Sequence, residues 1–494
     1  MTVKSFLSSL FLCFLSLFCI VCAQPGLLFS SGLAFFGWIS YIPFFLLLRF
    51  SSVRMAALWG ALYGFCKFFL LMFWLITYNL PALFGISLAM AGETAFICLL
   101  CGLLQKKIPR FSWMLMPLVT LFFEFLRTTG ELGFSYGIVG YSQWRIGLLV
   151  QSAWIFGVWG TSFAIMLTGS VFAFYAESVI KASEKKTRFV WKGADCARAL
   201  VLVACLLILL VVGMVSGLLA DRHEKENKML SVALIQPNSN PWKNGLDAYA
   251  DELVSLIELT DKALSEHPET QLVVWSETAF VPDLVKHYTQ SLDPGRRLLS
   301  QRLLRYIDGK SAAFVLGNNH QEKDEDGMHE YNSALFFQAG KNVLPPEPLV
   351  YNKMRLVPFT EQIPYPRLLW PLAKAFGSDA HYWSAGKKTT VFTVDGVRFC
   401  TPICFEDTFA SVIKKMCREG AEVIVNLSND SWSHSLACQN QHLSMAVFRC
   451  AENHVPAVRS TASGQTCIID ARGRVVAELE PFTPGYLCGS LSIR

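Results

Sequence analysis

Up to about residue 220 the apolar positions fall in long, nearly unbroken blocks; beyond it they fall in short runs separated by polar turns. A helix of about 20 apolar residues crosses the hydrocarbon core of a bilayer. Seven blocks read as such helices, at 4–22, 27–49, 56–78, 83–104, 112–127, 149–177 and 199–219. The loops after the second, fourth and sixth are basic: "RFSSVR" (49–54), "QKKIPR" (105–110) and "KASEKKTRFVWKGADCAR" (181–198). The alternate loops, such as "YNLPA" (78–82), are almost uncharged. Basic loops stay on the cytoplasmic side, so the chain is expected to leave the seventh helix on the outer side. The first block also fits a cleaved signal peptide, with a basic start and small residues near its end. Apolar sequence resumes at once, which favours a retained span, and the topology is the same either way.

Charges inside such blocks are costly and often functional. Lys67, Glu93 and Glu124 are three of them. Glu124 and Arg127 stand three apart on one helix face, a spacing that suits an ion pair. The Gly- and aromatic-rich segment 127–147 lies on the expected outer side, as a plain loop or a partly immersed one.

After the polar linker "DRHEKENK" (221–228) the pattern changes. Short apolar runs at 229–237, 271–277, 312–319, 331–340, 397–407, 421–430 and 456–479 read as strands bounded by turns. Residues 246–264 have helical periodicity. Interleaved strands and helices predict an α/β domain with its reactive residues at strand ends. The expected organisation is a membrane bundle (1–220), the linker (221–228) and an α/β domain (229–494).

Composition sharpens this division. The chain is 53% hydrophobic and 16% charged, below the roughly 25% charged of soluble proteins. Residues 1–220 hold 15 Lys and Arg against 6 Asp and Glu, whereas the rest hold 28 against 32. The net charge of +5 therefore belongs to membrane loops and gives no reason to invoke nucleic acid. The second half has seven cysteines and no CxxC, which points neither to a disulfide framework nor to a zinc ribbon.

Three strand ends carry residues that an apolar core would not choose. Glu277 closes "VVWSE", Lys353 lies in "VYNKMRLVPFTE" and Cys404 lies in "PICFE". Taken singly, each has an ordinary reading, as a surface charge or a small buried hydrophobe. Together they form a coherent set. A carboxylate can take the thiol proton, and a cation can offset Glu406 and Asp407 and favour the thiolate. "HSLACQNQH" places His434, Cys438 and His442 four apart, which suits zinc by residue type. Three ligands beside a polar loop read better as surface histidines and a half-buried cysteine, and neither metal nor cofactor is expected.

The ordered motifs "WSETAFVP" (275–282), "YNKMRLVPFTE" (351–361) and "PICFEDTF" (402–409), followed by "NLSNDSW" (426–432), resemble the nitrilase, or carbon–nitrogen hydrolase, superfamily. The resemblance implies an αββα sandwich and a catalytic triad of Glu277, Lys353 and Cys404. Together with the apolar blocks and "LFFEFLR", "GF" and "GYSQ" within 121–143, it narrows to the apolipoprotein N-acyltransferase family. By that resemblance Glu361, Glu406 and Trp432 match further site positions, and Trp242 matches an aromatic one at a looser spacing. Members of the family end in another membrane helix. Here "PGYLCGSLSIR" follows soon after the last strand, which bears on how the domain's edge is anchored and not on the triad.

The implied activity is the last step of bacterial lipoprotein maturation. An acyl chain passes from a membrane phospholipid, through a cysteine thioester, to the α-amine of a diacylated apolipoprotein. The implied place is the inner membrane, with the α/β domain periplasmic. Two other readings remain. A tethered amidase would use the same triad with water, but it would need only one anchor. A receptor or transporter with an outer binding domain would have no use for Cys404.

Overall fold

The computed structural model describes residues 3–187, 190–191, 193–223, 228–242, 244–290, 292–325, 327–366 and 382–493. Linker residues 224–227 and residues 188–189 and 192 of the third basic loop lie outside them. The chain divides into two compact units, Met1–Leu218 with Ser435–Phe448, and Leu219–His434 with Arg449–Arg494.

In the first unit each apolar block falls on a helix: Val3–Ala23, Ala34–Phe50, Val53–Leu71, Leu80–Lys107, Ser112–Arg127, Ala153–Glu184 and Gly193–His223. Five are long and apolar enough to cross a membrane: Ser5–Ala23, Val53–Leu71, Leu80–Lys107, Ala153–Glu184 and Gly193–Ala220. Ala34–Phe50 is apolar but shorter, at 17 residues. The most apolar window, in Gly193–Ala220, has a mean hydropathy of 3.1, yet only 22% of it is buried within the protein. Water would penalise so large an outward apolar face and lipid does not. The chain is a membrane protein.

The charges inside this unit are arranged differently from the expected local pair. Arg127 donates to Glu93 on Leu80–Lys107, at 3.3 Å, rather than pairing with Glu124. Its guanidinium and the Lys67 ammonium each lie 5.1 Å from the centre of the Phe68 ring. Packing of three helices overrides the i,i+3 spacing, because Arg127 also reaches the backbone oxygens of Phe134 and Tyr136.

Ser435–Phe448, distant in sequence, belongs to this unit because its polar side chains complete helix ends. Gln441 donates to the carbonyls of Pro25 (2.6 Å) and Leu71 (2.9 Å) and accepts from the Trp74 indole (3.1 Å). Leu71 ends its helix, where carbonyls have no intrahelical partner. Asn440 donates to the Ser30 carbonyl at 2.9 Å. Gln441→Leu removes three buried hydrogen bonds, at about 0.5–1.5 kcal/mol each. A lower unfolding temperature of the detergent-solubilised variant is the expected result.

The second unit contains two six-stranded sheets. The first has the order β12-β1-β2-β3-β4-β5 and the second β11-β10-β9-β8-β7-β6. The first comprises β1 (Lys228–Gln236), β2 (Leu272–Trp275), β3 (Ala313–Asp324), β4 (Gly327–Phe337), β5 (Leu349–Asn352) and β12 (Gly485–Ile493). The second comprises β6 (Val391–Val394), β7 (Val397–Cys400), β8 (Val423–Ser428), β9 (Ala457–Thr461), β10 (Cys467–Ile469) and β11 (Val475–Glu478). The runs β1–β2–β3 and β7–β8–β9 are parallel, so helical crossovers must cover the sheets.

Alternation along β4 sets the layers. Leu335 and Phe337 join Leu253, Leu256, Leu303 and Ile307 of helices Leu246–Glu266 and Pro294–Asp308. Phe336, between them, points the other way, with ring centres 5.4 Å from Phe392 and 5.3 Å from Phe399 of the second sheet. Ser460 of β9 stitches the sheets by donating to the carbonyls of Ile235 and Val274. The result is the expected αββα sandwich.

Candidate active site

Glu277 lies two residues beyond β2, where parallel strands end and the next loop begins. The turn is tight, with Thr278 at a φ of 52°. It is held by Asn318 of β3, which accepts from the Leu284 N–H (3.0 Å) and donates to the carbonyls of Phe280 (2.5 Å) and Pro282 (2.9 Å). Beside it Gly317 leaves no room for a side chain. A Cβ there would meet the Thr278 nitrogen at 2.5 Å and the Glu277 Cα at 2.6 Å. Both atoms are backbone, so Gly317→Ala must displace the Glu277 turn. It is expected to cost about 1–3 kcal/mol and to lower activity more than 10-fold, roughly as a 1 Å misplacement does. A fall in kcat beside retained secondary structure by circular dichroism would register it.

Lys353 follows β5 directly and is 1% exposed. Its ammonium donates to Glu277 Oε1 at 3.1 Å and to Glu361 Oε1 at 2.8 Å. Burial disfavours its charge, but Glu277, Glu361 and Cys404 outweigh that and hold its pKa well above the ordinary lysine range. Glu361 spans two roles, since its Oε2 accepts from the Val357 N–H at 2.8 Å and so closes the loop.

Asn332 of β4 was not singled out from the sequence. Its amide donates to Glu277 Oε1 at 2.8 Å and more weakly to Glu361 Oε1 at 3.4 Å. With Lys353 on the same oxygen, Oε1 of Glu277 accepts two hydrogen bonds. The available signal was a lone Asn at the start of the apolar run "YNSALFFQAG".

Cys404 opens a short 3₁₀ turn, Cys404–Thr408, and sits at a φ of 49°. A non-glycine residue in that region is strained by about 1–3 kcal/mol and persists only where its surroundings hold it. The two carboxylates that follow it are engaged elsewhere. Glu406, fully buried, accepts from Tyr351 Oη (2.8 Å) and from the N–H groups of Met354 (2.8 Å), Arg355 (3.0 Å) and Ile403 (2.9 Å). Burial pushes its pKa up, and the N–H groups of Ile403 and Arg355, with Lys353 and Tyr351, act the other way. Glu406 ties the segment that carries Lys353 to the turn that carries Cys404. Asp407 pairs with Arg459.

Lys353 pulls the Cys404 thiol toward ionisation, as expected, but it does not prevail. Burial pushes the thiol well above its ordinary range, and Glu277, Asp430 and Glu361 push the same way. Burial is the largest of these effects, and the Lys353 ammonium is shared between two carboxylates.

Trp432 is half-buried in the turn Ser431–Ser433, just after Asp430. Trp242 is 54% exposed beyond β1, and its backbone N–H donates to Asn240 Oδ1. Among the described residues no three His, Cys, Asp or Glu side chains gather as a metal site would require.

Comparison with known proteins agrees with both units. Residues 17–171 match the apolipoprotein N-acyltransferase N-terminal domain, and residues 231–493 match the carbon–nitrogen hydrolases. Apolipoprotein N-acyltransferase 1 of Treponema denticola is 36% identical over 494 residues, covering 95% of this chain and 88% of that protein. Its Treponema pallidum counterpart is 37% identical, covering 98% of this chain and 89% of that protein. A solved carbon–nitrogen hydrolase from Helicobacter pylori aligns with 53% of this chain and 89% of its own at 15% identity, with a TM-score of 0.38.

Proposed function

This chain belongs to the apolipoprotein N-acyltransferase family, and we propose that it N-acylates lipoproteins through a thioester on Cys404, with a membrane phospholipid as acyl donor. The observation that carries the reading is the pair of bonds from Lys353 to Glu277 and Glu361, in electrostatic contact with Cys404. It is the arrangement that a base-activated thiol requires.

In the first half-reaction Glu277 takes the thiol proton as sulfur attacks the ester carbonyl. Lys353 faces the oxyanion that develops. The carbon–oxygen bond breaks, Glu277 returns the proton to the leaving alkoxide, and a lysophospholipid departs. In the second, the neutral α-amine of the diacylglyceryl-cysteine attacks the thioester. Glu277 takes the amine proton, the carbon–sulfur bond breaks and the thiol re-forms, leaving an amide. An unperturbed α-amine has a pKa near 8, so a useful fraction is neutral at physiological pH. Water would hydrolyse the thioester and must be kept out, a task for which Trp432 and the outer loops are suited. Trp242 is assigned to contact with the acceptor.

The proposed location is the inner membrane with the second unit periplasmic, supported by the basic loops at 49–54, 105–110 and 181–198. The amidase reading is not favoured, since the curated relatives are named as transferases. Mass spectrometry of a diacylated lipopeptide, after incubation with the protein and labelled phospholipid, tests the proposal. One added acyl group on the α-amine is expected, whereas free fatty acid without acylated peptide would make the protein a hydrolase.

A further inference from the structure

Beneath the turn of Cys404 lies a second buried cation. Arg459, in β9, is fully buried, and its Nη1 donates to Asp407, whose side chain is 2% exposed. Asp407 stands three residues after Cys404 in the same 3₁₀ turn. Nε and Nη2 of Arg459 are also buried and have no hydrogen-bond partner. The neighbouring strand, β8, is tied twice to the residues just before that turn. Asn426, opposite Arg459 in the parallel ladder, donates to the Pro402 carbonyl at 3.2 Å, and Leu427 bridges to Ile403.

We propose that Arg459 is a positioning residue for the nucleophile: through Asp407 it holds the Cys404 turn and cancels a carboxylate charge that the site cannot otherwise balance. This rests on Cys404 being the nucleophile. The charge count explains the need. Glu277 and Glu361 share Lys353, and the Asp430 carboxylate also bears on the Cys404 thiol. The single charge of Lys353 already faces two carboxylates. Arg459 in turn feels Asp407 most strongly, then Cys467, Asp430 and Cys404. Asp407 also acts on Cys450. A neutral residue at 459 would remove a cation that acts on Cys404 and leave Asp407 charged and buried in the same turn, which disfavours the thiolate.

The test is the pH profile of Cys404 alkylation by iodoacetamide in the full-length, detergent-solubilised protein, read at the Cys404 peptide. Arg459→Met is expected to raise the midpoint by about one pH unit and so slow alkylation at neutral pH about tenfold. Adding Asp407→Asn to it removes both charges and is expected to return the midpoint to near the wild-type value. Asp407→Asn alone leaves an unbalanced cation and is expected to lower the midpoint and speed alkylation. Cys450 and Cys467, both fully buried, report unfolding in the same digest. If Arg459→Met exposes them, Asp407→Asn alone decides the matter. An unmoved midpoint in either folded single variant, or no restoration in the double variant, would overturn the proposal. Transfer of labelled acyl to Cys404 is read in parallel. Shifted midpoints without a thioester would refute the acyltransfer reading and leave the charge assignment standing.

Discussion

Cys404→Ala is expected to abolish acyl transfer, by roughly a millionfold where the nucleophile is indispensable, and to leave no acyl chain on the protein. The serine variant is expected to fail nearly as completely. Its hydroxyl is a far weaker acid than a thiol, and a carboxylate base such as Glu277 is too weak to activate it. Incubation with labelled phospholipid and no acceptor separates the half-reactions. Wild-type protein accumulates a label that hydroxylamine releases, and the Ala variant accumulates none. Cys400, fully buried in β7, is the internal control, because it is near in sequence and closed to lipid. Equal labelling of the Ala variant would place the thioester on another residue.

The second large effect is expected from Lys353→Met. It leaves Glu277 and Glu361 facing each other without their shared cation. Breaking a buried ion pair in this way costs about 3–5 kcal/mol, and losing one oxyanion donor costs about 10²–10³ in kcat. The pH dependence carries the diagnosis. Two adjacent carboxylates without a cation cannot both stay ionised, so the pKa of one rises. The base is then available only at higher pH, and residual activity is expected to climb with pH where the wild type is level. The folded lysine is held above its ordinary range. Its contribution to stability is therefore complete below the normal lysine pKa and is lost only as pH rises through the higher folded value. Lys353→Arg is not expected to rescue, because a planar guanidinium cannot occupy the ammonium's position between two carboxylate oxygens. A variant whose activity fell at every pH by the same factor would argue that Lys353 is structural only.

The sequence pattern exposed much of this arrangement in advance. The seven apolar blocks coincide with helices because burial in lipid acts on every residue of a span, so the signal is carried locally. Strand ends were legible for a similar reason: a charged residue that closes an apolar run has no place in a core. Glu277 and Lys353 stood out on that ground, and Cys404 through the carboxylates that follow it. What escaped detection was relational. Asn332 looks like any strand asparagine until the chain brings it to Glu277. Arg127 sits at the spacing for Glu124 yet pairs with Glu93, since helix packing and two backbone carbonyls offer it more.

The sequence by itself therefore determined the change from long apolar blocks to short strand-like runs, the order of the three motifs and the chemical identity of the candidate nucleophile. Each follows from periodicity or residue type, which neighbours along the chain suffice to set. The tertiary structure decided the electrical state of the site. The carboxylates adjacent to Cys404 in sequence are the ones withdrawn to Tyr351, backbone N–H groups and Arg459. Those acting on the thiol arrive from β2, the loop after β5 and the end of β8. Electrostatic interaction depends on distance and on exclusion of water, and neither quantity exists until the strands have assembled.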